Sequence, residues 1–200
     1  MENNYSQLIK DILEQLLEGN PINAKDLPNI NLYMDQVTTL MEKELAFTKR
    51  QEDDKVLTKT MINNYAKNHL LPPPEKKKYS SHQLLILFLI YYLKNVIAIK
   101  DIDKLLSPIT SRFYESSDIF SFSDIYDQVI EVQKNAKNSW HQSILDTWEA
   151  SQETFENAPT DQETLQLFSF ICALSFDVFN KKLLIEKLID HLPPIDSNKK

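Results

Sequence analysis

Apolar residues recur three and four positions apart along most of the chain, a spacing that predicts helices rather than strands. The first such pattern covers about residues 4–18, the second 32–45 and the third 58–68, where Thr58 can cap the helix. Few stretches alternate between apolar and polar residues, as strands do. The pattern therefore predicts an all-α fold with one small hairpin at most.

The second half of the chain continues this helical pattern. Ser80 and Gln83 have the spacing of a capping box, and the helix they begin, 84–93, is apolar on all sides and so should be central. Residues 122–148 carry one apolar stripe and are predicted to form one long helix. Residues 165–192 are apolar on more than one face, so we expect other helices to sandwich them. The two segments predict a C-terminal long-helix hairpin or bundle.

Several classes of chemistry are disfavoured by composition. Cys172 is the only cysteine, which excludes an intrachain disulfide and a cysteine-based zinc cluster. Gly19 is the only glycine, and phosphate-binding loops, dinucleotide-binding turns and nucleophile elbows all need glycine. The four histidines show no metal-ligand spacing. We therefore expect no catalytic residues, no metal and no cofactor, and a protein that is not an enzyme.

The apolar runs also bear on location. The first helix is acidic and amphipathic, with no basic flank followed by an apolar region, so it does not resemble a secretory signal. The longest apolar runs are shorter than the roughly 20 residues that cross a bilayer. These features predict a cytoplasmic protein without a membrane partner.

Charge is distributed unevenly along the chain, whose formal net charge is -7. Residues 46–105 hold eleven Lys or Arg against six Asp or Glu, a balance of +5, so the remaining residues carry -12. No acid occurs from Val56 to Pro74. Because salt screens charges beyond about 8 to 10 Å, a local basic surface can attract phosphate even on an acidic protein.

The third helix shows where that basic surface would lie. Successive steps of four place Lys59, Asn63 and Lys67 on one face, with Thr60 and Asn64 beside them. This face offers donors and neutral amides only. The other interpretation of these lysines is an ordinary solvated surface.

The block over residues 58–106 resembles the MerR family of winged helix-turn-helix proteins, from the recognition helix through the wing to the following helices. A helix with an aromatic residue and a Leu-Leu step leads to proline, a basic wing, a Tyr-Ser pair and an apolar helix. The matching residues here are Tyr65, Leu70, Leu71, Pro74, Lys76, Lys77, Lys78, Tyr79, Ser80 and the run 84–93, followed by Ile99, Asp101 and Ile102. Asn63 and Asn64 stand where that family usually has arginine and tyrosine, and His69 where it has glycine. The chain also resembles an uncharacterised bacterial family classed as a domain of unknown function.

The MerR resemblance implies a transcriptional regulator with double-stranded DNA as partner. The recognition helix, about 58–68, would enter the major groove, and the wing, 75–79, would be small or rudimentary. The domains would be an N-terminal helix and loop (1–31), the MerR-like winged helix (32–110) and a C-terminal helical region for dimerisation or effector binding (111–200). The predicted DNA-binding residues are Lys59, Thr60, Asn63, Asn64, Lys67, Lys76, Lys77, Lys78 and Tyr79.

Two further expectations concern partners. MerR-like proteins dimerise through a long helix that follows the DNA-binding domain. The resemblance therefore implies a homodimer, with residues 122–148 as the candidate dimerisation helix. A small-molecule effector stays unspecified. The alternative function is a non-enzymatic protein-interaction module that keeps the winged-helix scaffold and binds a partner protein through its acidic C-terminal helices.

Overall fold

The computed structural model describes residues 5–114 and 120–193, and this part of the chain is mostly helical, as predicted. The start of the first helix at residue 4 lies outside the described residues. The α-helices are α1 (Tyr5–Glu18), α2 (Met34–Glu44), α3 (Lys59–Lys67), α4 (Ser81–Lys94), α5 (Ile99–Phe113), α6 (Phe122–Asn135), α7 (Lys137–Gln152) and α8 (Gln162–Asp190). The strands are β1 (Leu32–Tyr33) and β2 (Lys78–Tyr79).

The chain forms two compact units, and the first combines residues 5–20 with 132–185. Its core contains Ile9 and Leu13 of α1 with Trp148 and Phe170. The rings of Trp148 and Phe170 meet edge to face at 5.3 Å, a favourable geometry for an aromatic pair. The indole N–H of Trp148 donates to the hydroxyl of Ser6 at 3.1 Å, which satisfies the polar end of a buried tryptophan.

Lys137 holds the end of α1 in the same unit. Its ammonium donates to the carbonyl oxygens of Leu17 and Gly19, and to the side-chain oxygen of Asn20 at 2.9 Å. The last carbonyls of a helix have no intrahelical donor, and the negative end of the helix dipole lies there. A lysine distant in sequence therefore caps α1.

The second unit combines the described residues of 21–131 with residues 186–193. Helix α4 lies at its centre, since Leu84, Leu85, Ile86, Leu87 and Phe88 are all fully buried. This confirms the predicted central helix.

The capping box predicted at the start of α4 is present. The backbone N–H of Gln83 donates to the Ser80 hydroxyl at 3.4 Å, and the N–H of Ser80 donates to Oε1 of Gln83 at 2.7 Å. Each side chain thus satisfies a backbone donor that the first turn leaves unpaired.

Helix α6 closes the second unit against the segment that follows residue 20. Tyr126 is fully buried, and its hydroxyl donates to the carbonyl oxygen of Ile22 at 3.0 Å. The neighbouring Asp127 accepts the N–H of Ala24 at 2.7 Å. Burial raises the pKa of the Tyr126 hydroxyl.

The predicted long helix over 122–148 is wrong, because it is two helices, α6 and α7, that meet at Ala136. Its single stripe does not form one surface either. Phe122 and Trp148 are buried by residues of their own chain, whereas Val129 and Val132 are exposed.

Helix α5 follows α4 and reaches Phe113, with Pro108 inside it. The expectation for the C-terminal helix is wrong. Helix α8 is not sandwiched along its length, since every residue from 175 to 184 is exposed.

Candidate nucleic-acid interface

Helix α3 forms as predicted and presents the predicted polar face. The hydroxyl of its N-cap, Thr58, accepts the N–H of Met61 at 3.2 Å. Ile62 and Tyr65 are buried, which fixes the rotation of the helix about its axis. The opposite side exposes all five predicted residues, Lys59, Thr60, Asn63, Asn64 and Lys67.

The C-terminal end of α3 has a defined geometry. His69 has φ of 60°, in the left-handed region that favours glycine. Its N–H donates to the carbonyl of Ala66 at 3.2 Å, and the N–H of Leu70 donates to that of Tyr65 at 3.0 Å. These two bonds form a Schellman motif, in which the left-handed residue reverses the chain and satisfies the last carbonyls of the helix.

A minimal hairpin carries the basic residues after α3. Lys76 and Lys77 have φ of 48° and 63°, and the N–H of Lys78 donates to the carbonyl of Glu75 at 2.9 Å. Two central residues with positive φ are the mark of a type I′ turn, whose twist suits an antiparallel hairpin. Lys76 and Lys77 are therefore exposed at the tip of a tight turn.

Strand β2 continues from this turn and pairs with β1. The pairing is antiparallel, with Tyr33 opposite Lys78 and Leu32 opposite Tyr79. The ammonium of Lys78 lies 5.0 Å from the centre of the Tyr33 ring, within the range of a cation–π contact. This contact holds Lys78 on the face of the ladder that also exposes Tyr33.

Tyr79 is a correction to the predicted set of surface residues. Its side chain is only 2% exposed, so it packs into the core below the turn instead of contacting a ligand. Burial raises the pKa of its hydroxyl. Leu32, its cross-strand partner, is buried with it.

Helix α2 supports both parts of the surface, because it packs against α3 and against both strands. A second link runs through Gln83, whose amide donates to the carbonyl of Pro72 at 2.8 Å. Pro72 lies between α3 and the lysine turn, so this bond fastens the connecting segment to α4. The two basic elements are thus attached to one scaffold.

Carboxylates near these lysines are few. Asp35, at the start of α2, forms an ion pair with Lys59, and both side chains are more than half exposed. Glu75 begins the turn that carries Lys76 and Lys77. Sequence reasoning missed Asp35 and Tyr33, since nothing local to residues 33–35 shows that they lie beside lysines far along the chain.

A cavity of about 210 Å³ in the second unit is lined by Lys49, Lys55, Lys94, Tyr91 and four other residues. Lys94 donates to the carbonyl of Val56 at 3.2 Å, and partial burial lowers its pKa. Since small-molecule sites usually measure roughly 300 to 1,000 Å³, this volume does not mark an effector pocket.

Within residues 5–114 and 120–193, no group of three or more His, Cys, Asp or Glu converges in a way that could hold a metal ion. No helix in the same ranges is both long and apolar enough to cross a membrane.

The described residues thus define a mostly helical protein with a two-stranded ladder and an exposed set of lysines and asparagines. The chain belongs to the family described as a domain of unknown function (DUF1836), which matches residues 22–138. That match includes the whole candidate interface. No curated protein and no solved structure matches the chain.

Proposed function

We propose that this protein is a DNA-binding transcriptional regulator of the MerR-like type, with α3 as its recognition helix and the lysine turn as a rudimentary wing. The observation that carries the proposal is the exposed face of α3, which presents lysines and neutral amides and no carboxylate of its own. An α-helix fits the major groove of B-DNA, and polar groups on its outer face can reach base edges.

The asparagines are the residues that would read sequence. Asn63 and Asn64 are exposed on the polar face of α3, the face that would enter the groove. An asparagine amide can donate to N7 and accept from N6 of adenine at the same time, and each such pair discriminates by about 1 to 3 kcal/mol.

The lysines would hold the phosphate backbone. Lys59 and Lys67 lie at the two ends of α3, and Lys76 to Lys78 form the turn. Contacts to phosphate strengthen binding without selecting a sequence, and each neutralised phosphate adds about 0.9 to the slope of log affinity against log salt.

The order of elements supports the winged-helix part of the proposal. Helix α2, helix α3, the basic turn and the apolar α4 follow one another as the MerR resemblance implies. His69, which stands where that family has glycine, has the positive φ that glycine takes without strain. This conformation is consistent with the resemblance at a position where the residue differs.

A protein-interaction module is the second candidate function. Exposed apolar side chains on α8, such as Phe168, Phe176 and Phe179, favour it, because large apolar patches mark protein interfaces. In this case the lysine surface would be a solvated face, and loss of its charges would leave the cellular role unchanged.

Fluorescence anisotropy on DNA separates the two functions. The purified protein is titrated onto fragments from its own upstream region and onto scrambled DNA, across a salt series. Binding that prefers the natural fragment and weakens steeply with salt is the expected result. Absence of binding to any fragment at low salt would overturn the proposal.

Variants then assign the roles. Asn63→Ala and Asn64→Ala should reduce the preference for the natural fragment, whereas Lys67→Ala and Lys77→Ala should weaken binding to both fragments and lower the salt slope by about 1 each. Lys10→Ala, an exposed lysine of α1, is the matched control and should leave the titration unchanged.

A further inference from the structure

Helix α8 has two apolar faces, and one of them packs into the core of its own unit. Phe170 is buried against Trp148, and Leu167 and Leu174 pack partly buried against the same core. At 3.6 residues per turn, the opposite side of the helix carries a second apolar stripe. This outer stripe consists of Leu165, Phe168, Cys172, Phe176 and Phe179.

The outer stripe is open to water over most of its length. Phe168, Phe176 and Phe179 are 61%, 67% and 55% exposed. A phenylalanine offers roughly 150–250 Å², so these three rings alone leave on the order of 300 Å² in water, as much as the largest patch on many monomers. Thirteen successive residues, 164–176, carry no charge, so a helix docked there would desolvate no ion on this segment.

The spacing of the outer stripe suits pairing with a second copy of the same helix. Its members are separated by three, four, four and three residues, a series that reads the same in both directions about Cys172. A two-fold interface brings the same patch of two copies together, so the patch must match itself when reversed. An antiparallel pair of α8 helices with its axis at Cys172 meets that condition.

In this pairing each residue of the outer stripe lies opposite a residue of the same stripe in the second copy. Phe168 would lie opposite Phe176 of the second copy, and Leu165 opposite its Phe179. The small residues Ser169 and Ser175 flank the stripe at equal distances from Cys172, and they too would face each other. Small side chains beside an apolar seam let two helices approach closely, at interaxial distances of about 8 to 10 Å.

We infer that the protein forms a homodimer through the outer stripe of α8, with the two helices antiparallel about Cys172. The interface differs from the helix 122–148 expected from sequence, and it does not depend on DNA binding. At 3.6 residues per turn Leu183, which is 38% exposed, lies on the same side of α8 and extends the stripe toward the end of the helix.

Sedimentation equilibrium of the full chain tests the inference. The wild type should be a dimer, and Phe168→Glu or Phe176→Glu should raise the dissociation constant by roughly 30-fold or more, the loss expected at an interface hot spot. Val132→Glu is the control, since Val132 is 71% exposed on α6, within the segment first expected to dimerise. A monomeric wild type, or a dimer broken by Val132→Glu and kept by Phe176→Glu, would overturn the inference.

Oxidative crosslinking provides a second measurement that needs no destabilising charge. Cys172 lies on the proposed axis, so mild oxidation should link two wild-type copies covalently, and Cys172→Ser should abolish the product. In the Cys172→Ser background, a mixture of Leu165→Cys and Phe179→Cys chains should crosslink, while each variant alone should not. Crosslinking of each variant alone without the mixed product would indicate parallel helices and contradict the inference.

Discussion

Gln83 joins the start of α4 to the segment that leaves α3, because its Nε2 donates to the carbonyl oxygen of Pro72 at 2.8 Å. The same side chain accepts the N–H of Ser80 through Oε1 at 2.7 Å. Gln83 is 3% exposed, so both bonds are sheltered from water. One amide therefore caps a helix and positions the lysine turn.

Replacement of Gln83 should cost stability. Gln83→Leu leaves the partly buried carbonyl of Pro72 and N–H of Ser80 without the Gln83 amide. Because an unsatisfied buried group costs about 1 to 3 kcal/mol, we expect a loss of about 1 kcal/mol at these partly buried groups. We expect a free energy of unfolding lower by that amount in urea denaturation. Gln142→Leu is the control, because Gln142 bonds to Asp146 at an exposed site and its loss should change stability by less than about 0.5 kcal/mol. Equal effects of the two variants would contradict the role given to Gln83.

His69→Gly should stabilise the protein. The left-handed conformation of His69, with φ of 60°, costs a residue with Cβ about 1 kcal/mol, and glycine avoids that cost. We expect a rise in the thermal midpoint, measured by circular dichroism, while His69→Ala should give no such rise. A lower midpoint for His69→Gly would show that the imidazole makes a contact that outweighs the strain.

Local patterns were sufficient for the elements just discussed. Thr58, Ser80 and Gln83 are helix signals within a few residues of the helices they begin, and the uniform apolarity of residues 84–93 indicates burial directly. The exposed side of α3 followed from the spacing of its polar residues.

The remaining features depend on contacts between distant parts of the chain. Nothing near Tyr79 in the sequence shows that Leu32 pairs with it. An aromatic residue after three lysines is as typical of an exposed position as of a buried one. The break at Ala136 also escaped prediction, because alanine is a strong helix former and the apolar spacing continues across it. The buried side of α6 is set instead by Phe122, Tyr126 and Ile130.

Two tyrosines whose hydroxyls are buried, Tyr92 and Tyr126, should make the protein sensitive to alkali. Burial raises the pKa of Tyr92 to about 12 and also raises that of Tyr126. Below pH 10 both hydroxyls are protonated in the folded and the unfolded chain, so they add no pH dependence. As the pH rises above 10 the unfolded chain loses these protons first, and the free energy of unfolding falls.

Tyr92→Phe and Tyr126→Phe distinguish the two residues. Among residues 5–114 and 120–193, the buried hydroxyl of Tyr92 has no hydrogen-bond partner, so Tyr92→Phe should be neutral or stabilising at pH 7 and should reduce the loss of stability between pH 10 and about 12. Tyr126→Phe removes the bond to Ile22 and should cost about 1 kcal/mol at pH 7. Urea denaturation at a series of pH values measures both effects. An unchanged alkaline profile for Tyr92→Phe would contradict the shifted pKa.

Asp35 should restrain DNA binding, if α3 is a recognition helix as proposed. Its carboxylate pairs with Lys59 at an exposed site, where such a pair contributes little stability, about 0 to 1 kcal/mol. Asp35→Asn releases Lys59 for a phosphate and removes a charge that repels DNA. Affinity should therefore rise several-fold at low salt, and the gain should shrink as salt screens it.

Fluorescence anisotropy on natural and scrambled DNA measures the gain in affinity. The gain should be equal on both fragments, because phosphate contacts select no sequence. Asp11→Asn, an exposed acid of α1, is the control. If both substitutions strengthen binding equally, the gain comes from net charge alone and Lys59 is not a contact residue.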